Sequence, residues 1–179
     1  MRPLPSCRLI LWTGPKHSGK TTVLTELTNR ARQNGITVAG ILAPSIYQSN
    51  RLVGFDILDL GTNQRCPLAR RDIEGPKKIG EFVLTKEGLE LGRSALKTTC
   101  KPARLIVVDE YGPLELKNGG WRSEVDSLIQ RRPGMILLVV RDELAHRVAQ
   151  IYSQQTPQII SCREPGAIDR VIGLLMEKL

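Results

Sequence analysis

The chain of 179 residues reads as an α/β protein, with a mostly parallel sheet held between helices in three layers and a short antiparallel hairpin added to it. Three observations predict this. Short apolar runs alternate with segments of helical period, the pattern of a parallel sheet covered on both faces. A glycine-rich turn sits between the first apolar run and the first helix. After Pro44 the rhythm changes to short strands around polar turns. One domain is expected over 1–179, with residues 44–85 as its hairpin and loop elaboration.

Taken in order, Arg8 to Thr13 is expected to form the first strand. Gly19 to Asn34 follows as a helix, with Val23, Leu24, Leu27 and Ala31 at a 3.6-residue period and a stop at Gly35. Ile36 to Ala43 is a second β-rich run, ended by Pro44. Tyr47 and Leu52 to Leu60 flank Gln48-Ser49-Asn50-Arg51, which reads as a hairpin turn between antiparallel strands. Gly61 to Gly80, rich in Gly, Pro and charge, reads as loop. Phe82 to Leu84 is a short strand, and Thr85 caps a helix running to about Thr98, with Glu87 in its first turn. Gly88 and Gly92 weaken that helix.

Leu105 to Val108 is a short, fully apolar strand followed at once by Asp109 and Glu110. Trp121 to Arg131 reads as a helix with Val125, Leu128 and Ile129 inward, stopped by Pro133-Gly134. Met135 to Val140 is another buried strand. A short helix from Asp142 to Ile151, a weak strand at Gln158 to Ser161 and an end helix from Pro165 to Lys178 complete the chain. Trp12 is expected to pack in the core, and His146, on the short helix, to be structural.

Composition narrows the function. Hydrophobic residues make up 41% and charged residues 25%, ordinary values for a soluble globular protein. No apolar run approaches the ~20 residues that cross a bilayer, and Met1 to Pro5 lack the apolar core of a secretory signal. Cys7, Cys66, Cys100 and Cys162 are far apart, which argues against a zinc or redox motif and suits reduced thiols in the cytoplasm. A net charge of +8 attracts polyanions. The basic residues are scattered, however, and aromatics are only 4%, which argues against nucleic acid as the substrate. Oligomeric state is open.

The chemistry starts at Gly14-Pro15-Lys16-His17-Ser18-Gly19-Lys20-Thr21-Thr22, which fits the Walker A pattern G-x-x-x-x-G-K-[ST] between a strand and a helix. Gly14 and Gly19 let backbone N–H groups wrap a phosphate chain. Lys20 brings positive charge to the β- and γ-phosphates, and the Thr21 hydroxyl is placed to hold Mg²⁺. The helix adds the positive end of its dipole. The ligand is a nucleoside polyphosphate. His17 occupies a position that the motif leaves free and reads as a solvent-side residue.

A strand of four aliphatic residues ends at Asp109, on the edge where α/β sheets bind ligands. Asp109 is the expected second Mg²⁺ ligand, and Glu110 the group that orients or deprotonates an attacking water. Arg141, after the strand Met135 to Val140, is a candidate for the γ-phosphate edge. Arg51 and Arg70 are weaker candidates of the same kind.

With these residues in view, the chain resembles the THEP1-type nucleoside-triphosphatases. The resemblance rests on Thr13-Gly14…Gly19-Lys20-Thr21-Thr22, Gly54-Phe55-Asp56, Leu68-Ala69-Arg70 and Asp109-Glu110-Tyr111-Gly112-Pro113-Leu114-Glu115-Leu116. It implies a P-loop NTPase fold that hydrolyses nucleoside triphosphates to diphosphate and phosphate with Mg²⁺ and broad base tolerance. It also implies that the hairpin from Arg51 to Asp56 lies near the nucleotide, and that Glu115 orders the loop. The chain departs from the family at Lys16-His17 (usually Pro-Gly), at Tyr111 (Ile), at Leu114 (Met) and at Cys162-Arg163 (Asn-Arg). Two other readings stay open. One is a kinase acting on a nucleoside, nucleotide or RNA hydroxyl. The other is a GTP-binding adaptor for molybdenum-cofactor or metal handling, because Lys16 to Gly19 resembles the loop of MobB-like adaptors.

Overall fold

The computed structural model describes residues 8–15, 18–97, 103–131 and 134–177. The parallel part of its sheet contains β1 (Arg8–Gly14), β2 (Val38–Leu42), β8 (Leu105–Val108), β9 (Met135–Arg141) and β10 (Gln158–Ser161). The antiparallel part contains β3 (Ser45–Gln48), β4 (Arg51–Asp59), β5 (Arg65–Arg70), β6 (Lys78–Ile79) and β7 (Phe82–Leu84). Among the described residues, five α-helices complete the fold: α1 (Lys20–Gln33), α2 (Lys86–Lys97), α3 (Arg122–Arg131), α4 (Asp142–Ile151) and α5 (Ala167–Met176).

All ten strands join one sheet in the order β10-β1-β9-β8-β2-β4-β5-β7-β6, with β3 also paired to β4. Side-chain alternation along the strands decides the layers. Ile10, Trp12, Val107, Leu137 and Val139 face α1 and α5, while Leu11, Ile106, Val108, Leu138 and Val140 face the cluster built with α2, α3 and α4. Trp12 is fully buried, as its apolar strand predicts. His146 is exposed on α4 rather than packed.

The antiparallel part is larger than a hairpin. Residues Gly61 to Gly80 are not one loop, because β5 and β6 form within them. Pro67 hides β5 in the sequence, since proline is a poor central-strand residue. It is tolerated because it lies beside a register shift between Phe55 and Asp56, and because β7 pairs β5 only at Ala69 and Arg70. The hairpin turn lies where the sequence places it, with Gln48 paired to Arg51. Ser49 and Asn50 alone carry it, with φ of 47° and 60°, the geometry that suits a two-residue connection.

Thr85 caps α2 as expected, its Oγ1 accepting the Gly88 N–H at 3.0 Å. The two glycines of α2 have a packing reason. A Cβ on Gly88 would lie 2.3 Å from the Pro67 carbonyl, and one on Gly92 2.5 Å from the Trp121 ring. Their absence lets the helix sit close on the sheet, a gain that offsets their poor helix propensity.

Candidate active site

The first half of the site follows from how β1 ends. The Gly14 backbone remains in the β1–β9 ladder, opposite Arg141. A side chain at Gly14 would strike Cys162 Sγ at 2.6 Å and Ser18 Oγ at 2.8 Å, so the loop closes tightly here. Gly19 is left-handed at φ 76° and turns the chain into α1. The first amides of α1, at Lys20, Thr21 and Thr22, therefore point out of the helix end toward the loop, unpaired within the helix. Lys20 Nζ donates to the Gly14 carbonyl at 3.0 Å and to the Pro15 carbonyl at 2.7 Å. Its ammonium is thus held inside the loop. Lys16 and His17 lie outside the described residues, and with them the loop positions where the chain departs from the family.

The second half sits at the end of β8. Asp109 is 1% exposed, and its carboxylate is fully engaged. Asp109 Oδ2 accepts the Thr21 hydroxyl at 3.0 Å and the Ala43 N–H at 3.0 Å, while Oδ1 accepts the Glu110 N–H at 2.9 Å. Burial pushes the Asp109 carboxyl above its ordinary range, against the pull of these donors and of the Lys20 charge. Thr21 and Asp109 thus place two hard oxygen donors side by side, at an open helix end where phosphate oxygens can complete the shell. That donor set suits Mg²⁺, which takes one or two protein ligands and keeps other positions for phosphate and water.

Glu110 adopts a left-handed backbone, φ 56°, that a residue with a side chain rarely takes. Such a conformation costs about 1–3 kcal/mol and persists only where its neighbours impose it. The residue is exposed, and its carboxyl is nonetheless shifted upward. Desolvation, followed by the Asp109 charge, raises it, while the Arg141 and Lys20 charges draw it back down. Between the two halves runs β9, which separates β1 from β8 in the sheet. Arg141 closes that strand, so it stands between the phosphate loop and the carboxylates.

The remaining candidates divide. Glu115 is buried and fastens the loop after Glu110, its Oε2 accepting the Gly112 N–H at 2.7 Å and its Oε1 the Trp121 N–H at 2.9 Å. Burial raises its carboxyl, against these two amides. Arg70 is committed to Asp56 and donates to the Phe55 carbonyl at 2.5 Å. Arg51 opens β4 and is exposed. Because β4 pairs antiparallel with β2 through Leu58 and Asp59, the hairpin extends beyond the carboxyl edge of β2, the side that carries the site. Its Arg51 end lies roughly 20 Å along the strand from that pairing.

Sequence reasoning missed three participants. Ala43 supplies an amide to Asp109, a backbone role with no side-chain signal. Cys162 abuts the loop, its Sγ 3.8 Å from Ser18 Oγ. Tyr111 is buried with its hydroxyl 2.7 Å from that of Tyr152, and burial pushes its phenol up to about 12. A tyrosine where the family has an isoleucine was the available clue.

Comparison with known proteins gives the family and the fold. A family model described as NTPase matches residues 9–164. The nucleoside-triphosphatase THEP1 of Methanopyrus kandleri is 30% identical over 154 residues, spanning 86% of this chain and 84% of that protein. That of Methanocaldococcus jannaschii is 32% identical over 122 residues, spanning 68% and 71%. The solution structure of a human cancer-related nucleoside triphosphatase superposes with a TM-score of 0.67 at 22% identity, over 96% of this chain and 95% of that one. At that identity the likeness concerns the fold.

Proposed function

The chain belongs to the NTPase family, whose relatives are nucleoside-triphosphate hydrolases, and on that premise we propose that it is a cytoplasmic, Mg²⁺-dependent enzyme converting ATP, GTP and other nucleoside triphosphates to diphosphate and phosphate. The observation that carries this reading is the meeting of the loop and the carboxylates, Thr21 Oγ1 donating to Asp109 Oδ2 at 3.0 Å, with Glu110 next in the chain. It joins a phosphate cradle to a group able to manage water.

Each residue then has a task. The amides of the loop and of the first turn of α1 hold the phosphate chain. Lys20 moves its ammonium from the Gly14 and Pro15 carbonyls to the β- and γ-oxygens. Thr21 and Asp109 would hold Mg²⁺, which when bound would supply positive charge against the phosphate chain. Glu110 orients a water in line with the γ-phosphorus. An O–P bond forms from that water, the bond to the bridging oxygen breaks, and the water's proton passes to Glu110 or to the departing phosphate. Arg141 faces the charge that builds on the γ-phosphoryl group. Little else is needed, because phosphoryl transfer depends mainly on positioning and electrostatics.

Phosphate release from ATP, GTP, CTP and UTP, with and without Mg²⁺, tests the proposal. Release from all four, abolished by Lys20→Ala and by chelation, is expected. Tight GTP binding with no release would replace hydrolysis with the adaptor reading, and diphosphate formed without free phosphate, only when a hydroxyl acceptor is added, would replace it with the kinase reading.

A further inference from the structure

Next to the site a polar chain runs from two buried tyrosines to the partly exposed Asp126 and Arg122, and the phosphate chemistry does not explain it. The Tyr111 and Tyr152 hydroxyls lie 2.7 Å apart, and Tyr152 donates to Asp126 Oδ1 at 2.8 Å. Arg122 Nε donates to both oxygens of Asp126 at 3.0 Å, and its guanidinium covers the Tyr152 ring at 5.3 Å. Both tyrosines are at least 95% buried. The direction of the chain is determined. Tyr152 spends its one proton on Asp126, so Tyr111 must donate to Tyr152. Every member is satisfied, which makes the network rigid.

The chain bears on one place in particular, because Tyr111 is bonded to Glu110. The left-handed Glu110 peptide is held on its upstream side by the Asp109 side chain, which accepts the Glu110 N–H at 2.9 Å. On the downstream side Tyr111 does the holding, through its N–H to the Val139 carbonyl at 3.0 Å and through its hydroxyl. Asp126 and Arg122 lie on α3, and Tyr152 is the residue that closes α4. The helix α4 begins directly after Arg141. The network therefore ties Glu110 to two helices, one of which carries Arg141 at its other end. Plain apolar packing at residue 111 would fill the same space without committing two hydroxyls and a carboxylate to one geometry.

We infer that Tyr152 and Asp126 are positioning residues for Glu110, the hydroxyl chain through Tyr111 fixing the left-handed peptide and so the direction of the carboxylate. The inference rests on the hydrolytic reading of Glu110. It predicts a loss in turnover and not in nucleotide binding, since the contacts described for these residues are with one another and not with the phosphate loop.

The test is steady-state hydrolysis by the full-length protein with ATP and Mg²⁺, alongside nucleotide affinity and a thermal melt. Tyr152→Phe should lower kcat on the order of 10-fold or more, the scale of a small misplacement of a reacting group, with KM and affinity within about twofold of wild type. Tyr111→Phe should reproduce that loss, and the double variant should be no worse than either single one, because the two hydroxyls act as a unit. In a Glu110→Gln background, Tyr152→Phe should change nothing further. Unchanged kcat in Tyr152→Phe and Tyr111→Phe, or a full additional loss in the Glu110→Gln background, would overturn the positioning role while leaving Glu110 in place. Wild-type turnover in Glu110→Gln alone would overturn both readings together.

Discussion

The two parts of the sheet are built by different means, and the site belongs to one of them. In the parallel part, β8 and nearly all of β1 and β9 are buried, as expected of strands covered on both faces. In the antiparallel part, β4 and β5 mix buried, half-exposed and exposed positions, and β6 is exposed throughout. The first part is held by apolar burial. The second leans on side-chain clamps: Asp56 between Arg65 and Arg70, and Phe55 edge-on to Phe82 at 5.3 Å. A rigid apolar platform suits groups that must stay within fractions of an ångström of their places. A clamped extension suits a surface beside the site, not the reacting atoms.

Substitutions can break that comparison, beginning with the largest effect. Lys20→Ala removes the loop's positive charge and should lower hydrolysis on the order of 10²-fold or more, with little change in melting temperature. A rate near wild type would show that the parallel edge is not where the reaction occurs. Leu138→Ala leaves a cavity at a fully buried position of β9 and should cost about 2–5 kcal/mol, measured by denaturant unfolding. Loss in that range should expose the whole sheet to hydrogen exchange, not one segment.

Asp56→Asn tests the other part. It weakens the clamp on two guanidiniums and should cost about 1–3 kcal/mol, with faster exchange confined to residues 45–85. Equal loss of protection in β8 and β9 would mean that the two parts are not separable. The same residue sets a smaller, pH-dependent effect. Burial alone would raise the Asp56 carboxyl, but hydrogen bonds from Arg70 and Arg65 more than reverse this, so it is held below its ordinary value of 3.8. Its stabilisation is therefore complete well above pH 3.8 and is lost as pH falls through 3.8 toward the lower folded value. Acid unfolding of Asp56→Asn should lack that component.

The same contrast governs how much could be read from the residues alone. The parallel strands are continuous aliphatic runs, and α1 and α4 carry their period locally, so pattern is enough to find them. β5 escaped because Pro67 and the exposed Arg65 break its pattern, and because its pairing with β4 is fixed by a register shift that no local signal records. In the site, Gly14 to Thr22 and Asp109-Glu110 were legible because the chemistry demands those residue types at those places. Their joining was not, since Thr21 and Asp109 are 88 residues apart. Neither were the Ala43 amide, the strained Glu110 backbone, nor the tyrosine pair, all of which exist only once the strands are aligned.

Glu110 is assigned to the attacking water and not to nucleotide binding, and one paired measurement separates the two. For Glu110→Gln, nucleotide affinity and phosphate release from ATP with Mg²⁺ are read on the same preparation. Affinity within about twofold of wild type, with release lowered on the order of 10²-fold or more, is the predicted result. Release at the wild-type rate would contradict it.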